Sequence, residues 1–200
     1  MFDDPFPTTR PTYRPRRGLS HKLDKKIIEA AITLIGRDGP AGVSIEAVAR
    51  QAGCSRSSIY RRGSTKEDLI LAALGTTMAE SAPCEQGRIL ESTTKSRALS
   101  LRTHGDALSL LTLMGEMVRG TELGRRYLAE VFVPIRQARL GCLTDAVADG
   151  EIRSDVDIDL LLDIVSGALL FRAAHRGELE PDLPERLTSL LLQGVSGETP

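Results

Sequence analysis

The chain has 200 residues, 41% of them hydrophobic and 26% charged, long and apolar enough to bury one large core or two small ones. No run approaches the roughly 20 apolar residues of a membrane-spanning helix, and residues 1–18 lack the apolar stretch of a secretion signal, so a soluble, cytoplasmic protein with no membrane partner is expected. The net charge of −1 conceals an asymmetry: residues 1–66 carry 13 Lys or Arg against 6 Asp or Glu, and residues 67–200 carry 13 against 21, the distribution of a chain whose first third meets a polyanion.

The sequence has no Trp, only 4% aromatic residues, and prominent Leu and Ala. That balance favours helices over sheets and predicts an all-α fold. Cys54, Cys84 and Cys142 are odd in number and widely spaced, which offers neither a disulfide framework nor a C-x-x-C metal site; reduced thiols are expected.

The first twenty residues combine Pro5, Pro7, Pro11 and Pro15 with Arg10, Arg14, Arg16 and Arg17 and show no apolar periodicity, so residues 1–20 are expected to be a disordered basic arm. From Lys22, the positions Ile27, Ala30, Ala31, Leu34 and Ile35 share one helical face, and this helix should end near Gly39-Pro40. Ser44 suits the N-cap of a short second helix that stops at Gly53, and Ser55 the N-cap of a third through about Arg61. Ser64 and Glu67 have the spacing of a capping box, opening a fourth helix that must stop before Pro83.

Beyond Pro83 the periodicity predicts helices near 85–103, 106–118, 121–149, 156–176 and 183–194, with a kink at Pro134. Two wide apolar stripes stand out: Ile158, Leu161, Leu162, Val165 and Leu169, then Leu187, Leu190 and Leu191.

The segment Ser44 to Tyr60, SIEAVARQAGCSRSSIY, carries the functional information. Two short helices cross steeply only over small side chains; Ala49 meets that need, Gly53 makes the turn, and Ile59 plugs the core with Val48 and Ala52. This helix-turn-helix spacing leaves the outer face of the second helix free to enter a DNA major groove. Arg56 there can offer a fork to guanine and Ser57 a less selective contact, while Tyr60, Ser44 and Ser55 suit phosphate oxygens.

Residues Lys25 to Leu74 resemble the DNA-binding domain of TetR/AcrR-type transcriptional regulators, through the first-helix pattern, the turn, the SIYRR recognition helix and the STKEDL opening of the fourth helix. The segment Asp149 to Glu180 looks like the C-terminal part of one branch of that family. The resemblance implies an N-terminal three-helix helix-turn-helix domain (21–66) and a C-terminal helical domain (67–200) for ligand sensing and dimerisation. It implies a ligand-responsive repressor, released from double-stranded operator DNA by a small-molecule effector, and a homodimer joined through the last two helices. On this chain the pattern places Arg56, Ser57 and Tyr60 on the recognition helix, with Ser44 and Lys66 facing the DNA backbone. Arg61 and Arg62 stand beside them. The family usually has a bulky aromatic after Arg62, where this chain has Gly63. The implied dimer interface takes Ile158, Leu161, Leu162, Val165, Leu169, Leu187, Leu190 and Leu191.

An apolar or amphipathic effector would be lined by Leu110, Met114, Met117, Phe132 and Phe171, with Arg136 as a polar anchor. The four arm arginines are close enough to reach an adjacent minor groove. An alternative is a redox-sensing regulator using Cys54, whose place in the turn near Arg56 would couple oxidation to docking. No G-x-S-x-G, P-loop or H-E-x-x-H motif occurs and the three histidines are far apart, so an enzyme is not expected. Nor is a cofactor or a metal: Asp155, Asp157, Asp159 and Asp163 fit the start of a helix, where acids meet the helix dipole.

Overall fold

A computed structural model of the chain describes residues 21–61, 64–79, 88–101 and 104–194. The expected basic arm, Arg62, Gly63 and Cys84 lie outside the described residues, whose regular elements are helices with no strand among them. Ten α-helices are present among them: α1 (His21–Asp38), α2 (Ile45–Ala52), α3 (Arg56–Tyr60), α4 (Lys66–Ala79), α5 (Ile89–Leu99), α6 (His104–Val118), α7 (Glu122–Tyr127), α8 (Val133–Ala148), α9 (Ile158–Arg176) and α10 (Leu183–Gln193).

They form two compact units, one holding the described residues up to 79 with those of 105–136 and the other the described residues of 80–104 with those from 137 on. Helix α4, which begins at the boundary expected between residues 66 and 67, lies in the same unit as the first three helices. The reason is burial. Leu69, Ile70 and Ala73 of α4 close over Ile27, Ala31 and Leu34 of α1 and over Val48 and Ile59, leaving each at most 3% exposed. Burial of such side chains contributes about 1.5–3 kcal/mol apiece, so α4 belongs to that core. Further along the same unit, the buried Ser109 hydroxyl donates to the Ile35 carbonyl at 3.2 Å, fastening α6 to the end of α1.

The capping box of α4 is displaced by one residue from the expected Ser64–Glu67. Thr65 N–H donates to Asp68 Oδ2 at 2.8 Å, and Asp68 N–H donates back to Thr65 Oγ1 at 3.1 Å. Pro134 lies in the first turn of α8. Between α7 and α8, residues Leu128–Phe132 make one π-helical turn, closed by the Val133 N–H on the Leu128 carbonyl. Proline cannot donate to the carbonyl four residues back, and a wider turn accommodates the missing bond.

In the second unit α5 packs on α9 and α10. No side chain of its own caps α5; the Glu151 carboxylate does so from the loop after α8, accepting from Ile89 N–H at 2.8 Å and Leu90 N–H at 3.0 Å. Lys95 of α5 pairs with Glu185 of α10 at 3.0 Å. Unexpectedly for so short a helix, α5 buries Thr93, Thr94, Ser96 and Arg97. Asp157 is the N-cap of α9, accepting from Asp159 and Leu160 N–H, which accounts for an acid at that end. Cys54 is a free thiol, as expected, but Cys142 is disulfide-bonded, which corrects the expectation at that residue: wide spacing along a chain does not keep a fold from pairing a cysteine.

Candidate nucleic-acid interface

Helix α2 begins where the sequence places it. Ser44 is extended (φ −142°, ψ 156°) and its Oγ accepts from Ala47 N–H at 3.1 Å. The apolar positions Ile45, Val48 and Ala49 turn inward. At Gly53 the backbone enters the left-handed region (φ 65°, ψ 37°), a conformation that glycine adopts without a steric penalty. Cys54 N–H then returns to the Ala49 carbonyl at 2.9 Å, fixing the turn. Ser55 is again extended and caps α3 through Ser58 N–H at 3.2 Å.

Only Ile59 of α3 is buried; as the plug of the three-helix core it fixes the roll of the helix. That roll leaves Arg56, Ser57, Tyr60 and Arg61 exposed. Arg56, Ser57, Tyr60 and Arg61 are thus gathered on one outward face. Their polar atoms are already organised: Ser55 Oγ lies 2.8 Å from Ser57 Oγ and 2.9 Å from Ser58 Oγ, Arg61 Nη2 donates to Ser58 Oγ at 3.3 Å, and Lys66 Nζ donates to the Ala41 carbonyl at 3.3 Å. Ser44 accepts an amide proton with its oxygen, and its hydroxyl proton remains a donor suited to phosphate.

Sequence reasoning missed Glu46. Arg56 Nη1 donates to Glu46 Oε1 at 2.8 Å across the turn. The Arg56 hydrogen bond holds the Glu46 carboxyl below the usual glutamate range, and Glu46 in turn raises the Arg56 guanidinium. The only sequence signal is an acid in the first turn of α2, ten residues before the arginine, a position that the dipole of α2 explains equally well.

The remaining site expectations fare unevenly. Cys54 is half-buried against the first-unit core, a packing role that needs no redox chemistry. Leu161, Leu162, Val165, Leu169 and Leu187 are buried among this chain's own helices. Ile158 and Leu191 are half-buried and Leu190 is exposed. The exposed apolar side chains of α9 are its neighbours Leu160, Ile164 and Phe171. Phe171, expected to line an effector cavity, is 71% exposed and stacks on His175 with ring centroids 5.8 Å apart. Leu110 is buried, Met117, Phe132 and Arg136 are half-buried, and Met114 is exposed.

Residues 27–73 match the family model of bacterial regulatory proteins of the tetR family, and residues 90–191 the model of the tetracyclin repressor-like C-terminal domain. The DNA-binding transcriptional repressor TetR of Mycobacteroides abscessus is 30% identical over 83% of this chain and 90% of its own length. The HTH-type transcriptional regulator YdeS of Bacillus subtilis is 26% identical over 82% of this chain and 83% of its own. The fold resembles that of the Bacillus subtilis regulator FadR, solved in complex with stearoyl-CoA, at a TM-score of 0.66 and 20% identity, covering 86% of this chain and all of that one. The chain belongs to the TetR family of DNA-binding transcriptional regulators.

Proposed function

We propose that this regulator acts as a homodimeric repressor, placing α3 of each subunit in successive major grooves and leaving its operator when a small molecule binds the C-terminal domain. The observation that carries the DNA reading is the outward face of α3, where Arg56, Ser57 and Tyr60 stand exposed around a helix locked by the buried Ile59. Arg56 reads guanine, Ser57 makes the less selective contact, and Ser44, Ser55, Tyr60, Arg61, Arg62 and Lys66 hold phosphates. A two-fold dimer sets the half-site spacing at one helical turn or a multiple of it.

The dimer face is Leu160, Ile164 and Phe171 of α9 with Leu190 of α10, apolar side chains that this chain leaves exposed and whose i, i+4 and i+11 spacing on α9 lines one face. The effector is an amphipathic molecule with an apolar body. Because a regulator of similar fold was solved with stearoyl-CoA, acyl-CoA thioesters are the first compounds to test. Ligand and operator are linked through one two-state equilibrium, so each weakens the other's binding equally.

The test is a mobility shift of the purified chain on the DNA flanking its own coding region, at two salt concentrations, with and without acyl-CoA. A sequence-selective shift, lost in Arg56→Ala and reversed by acyl-CoA, supports the whole reading. A shift that acyl-CoA leaves unchanged while the compound also fails to raise the melting temperature removes that effector class.

A further inference from the structure

We propose that Glu46 is a positioning residue for DNA reading: by holding Arg56 across the turn it makes the chain select sequence rather than merely bind phosphate. The inference rests on the assignment of Arg56 as the base-reading side chain.

An arginine at the start of a recognition helix has two fates. Its guanidinium can lie along a base edge, or it can swing to the nearest phosphate, which carries no sequence information. A long exposed side chain favours whichever is nearer, and phosphates are everywhere along the duplex. Here the swing is restrained. The Arg56 side chain is exposed, yet its Nη1 is engaged by Glu46 Oε1 at 2.8 Å, from a different helix ten residues back. Both ends of this tether are fixed: Glu46 sits in the first turn of α2, which Ser44 caps, and Arg56 is the first residue of α3, which Ser55 caps.

A guanidinium has five donors. With one taken by the carboxylate, the parallel Nε and Nη2 donors remain, the pair that matches O6 and N7 of guanine. Glu46 also bears the wrong charge for a DNA-facing surface. Its own effect on phosphates is repulsive, so it lowers sequence-independent affinity while the arginine it holds supplies the sequence-dependent part. Both consequences raise the ratio of specific to non-specific binding, the quantity that matters among many competing sites.

The experiment uses the full chain and two probes: a duplex that the wild-type protein enriches from a randomised pool, and the same duplex with its sequence shuffled. Affinities for both are measured against salt for the wild type, Glu46→Ala, Glu46→Gln, Arg56→Ala and the double variant Glu46→Ala/Arg56→Ala. Glu46→Ala is expected to lower the specific-to-shuffled ratio about tenfold and to steepen the salt dependence on the shuffled duplex by about one counterion as Arg56 moves to phosphate. Glu46→Gln, whose amide oxygen still accepts from Nη1, keeps most of the ratio. In the Arg56→Ala background, Glu46→Ala leaves the ratio where Arg56→Ala put it. If Glu46→Ala and Glu46→Gln instead strengthen both duplexes by the same factor, Glu46 acts only as a repulsive charge and the proposal is overturned. If Arg56→Ala itself leaves the ratio intact, the base-reading assignment fails, and the role of Glu46 fails with it.

Discussion

Arg126 of α7 and Asp68 of α4 are 58 residues apart in sequence, and Arg126 Nη2 donates to Asp68 Oδ1 at 2.8 Å. The same guanidinium donates through Nε to Glu130 Oε1 at 2.8 Å, in the π turn. Asp68 is also the acid of the α4 capping box, so one carboxylate both starts α4 and ties it to α7. The two side chains are 28% and 26% exposed, sheltered enough for the pair to count. Arg126→Ala should cost about 2 kcal/mol in urea unfolding, because it leaves Asp68 and Glu130 without their shared cation. An unchanged midpoint would make the pair a surface ornament.

Burial pushes the Asp68 carboxyl up, but the Thr65 amide, the Arg126 guanidinium and the Thr65 hydroxyl together hold it below the usual aspartate range. A carboxyl depressed in the folded state stabilises fully above its unfolded value, near about 4. That contribution is lost as pH falls through the folded value. Wild type should therefore lose this increment on acidification below about pH 4, whereas Asp68→Asn, lacking it throughout, should show a shallower acid limb. Urea midpoints collected across that window compare the two slopes, and parallel acid limbs would exclude Asp68 as a contributor.

Glu151 tests a long-range cap. Its two oxygens take the first amide protons of α5, a helix with no side-chain cap of its own. Glu151→Ala should cost about 1–2 kcal/mol and accelerate hydrogen exchange at Ile89 and Leu90 above other amides of the unit. Uniform acceleration would mean that the loop is held by something else.

Much of the fold is written in local signals. Ser44, Gly53 and Ser55 specify both boundaries of the helix-turn-helix turn through side-chain caps and one left-handed glycine, so that part of the site was legible residue by residue. Side-chain reach across elements was not. Ser64–Glu67 and Thr65–Asp68 are equally good boxes on spacing, and Arg126, which favours the second, comes from α7. Helix α9 is apolar nearly all round, with Leu160 exposed beside Leu161 and Leu162 buried; periodicity cannot orient a helix without a polar face. Glu46 escaped notice for a related reason, since a carboxylate in a first turn already has a local explanation.

Gly124 at the α6–α7 corner is buried, and a Cβ there would overlap the Glu116 carbonyl group. Backbone cannot retreat as a flexible side chain can, so Gly124→Ala should destabilise by about 2 kcal/mol. Gly141 in α8 is exposed and has open space at its Cβ position; Gly141→Ala should be stabilising by up to about 1 kcal/mol. Opposite signs in the two urea midpoints are the expected result, and equal ones would show that helix propensity alone governs both sites.

The proposed dimer face separates cleanly from the core in α9. Ile164 is 44% exposed and Leu160 55%, whereas Leu162 is 2% exposed. A charge at an exposed apolar position costs the free subunit little but must be desolvated, unpaired, in an interface. Ile164→Glu should therefore give a folded monomer by sedimentation equilibrium, with a circular-dichroism spectrum like that of wild type. Leu162→Ala removes buried methyl groups instead, so it should lower the melting temperature through a loss of about 2–5 kcal/mol and leave the stoichiometry alone. A monomer holds one recognition helix, so Ile164→Glu should also bind a two-half-site duplex no better than a single half-site. If Ile164→Glu stays dimeric while Leu162→Ala dissociates, the buried stripe is the interface after all and α9 must turn on association.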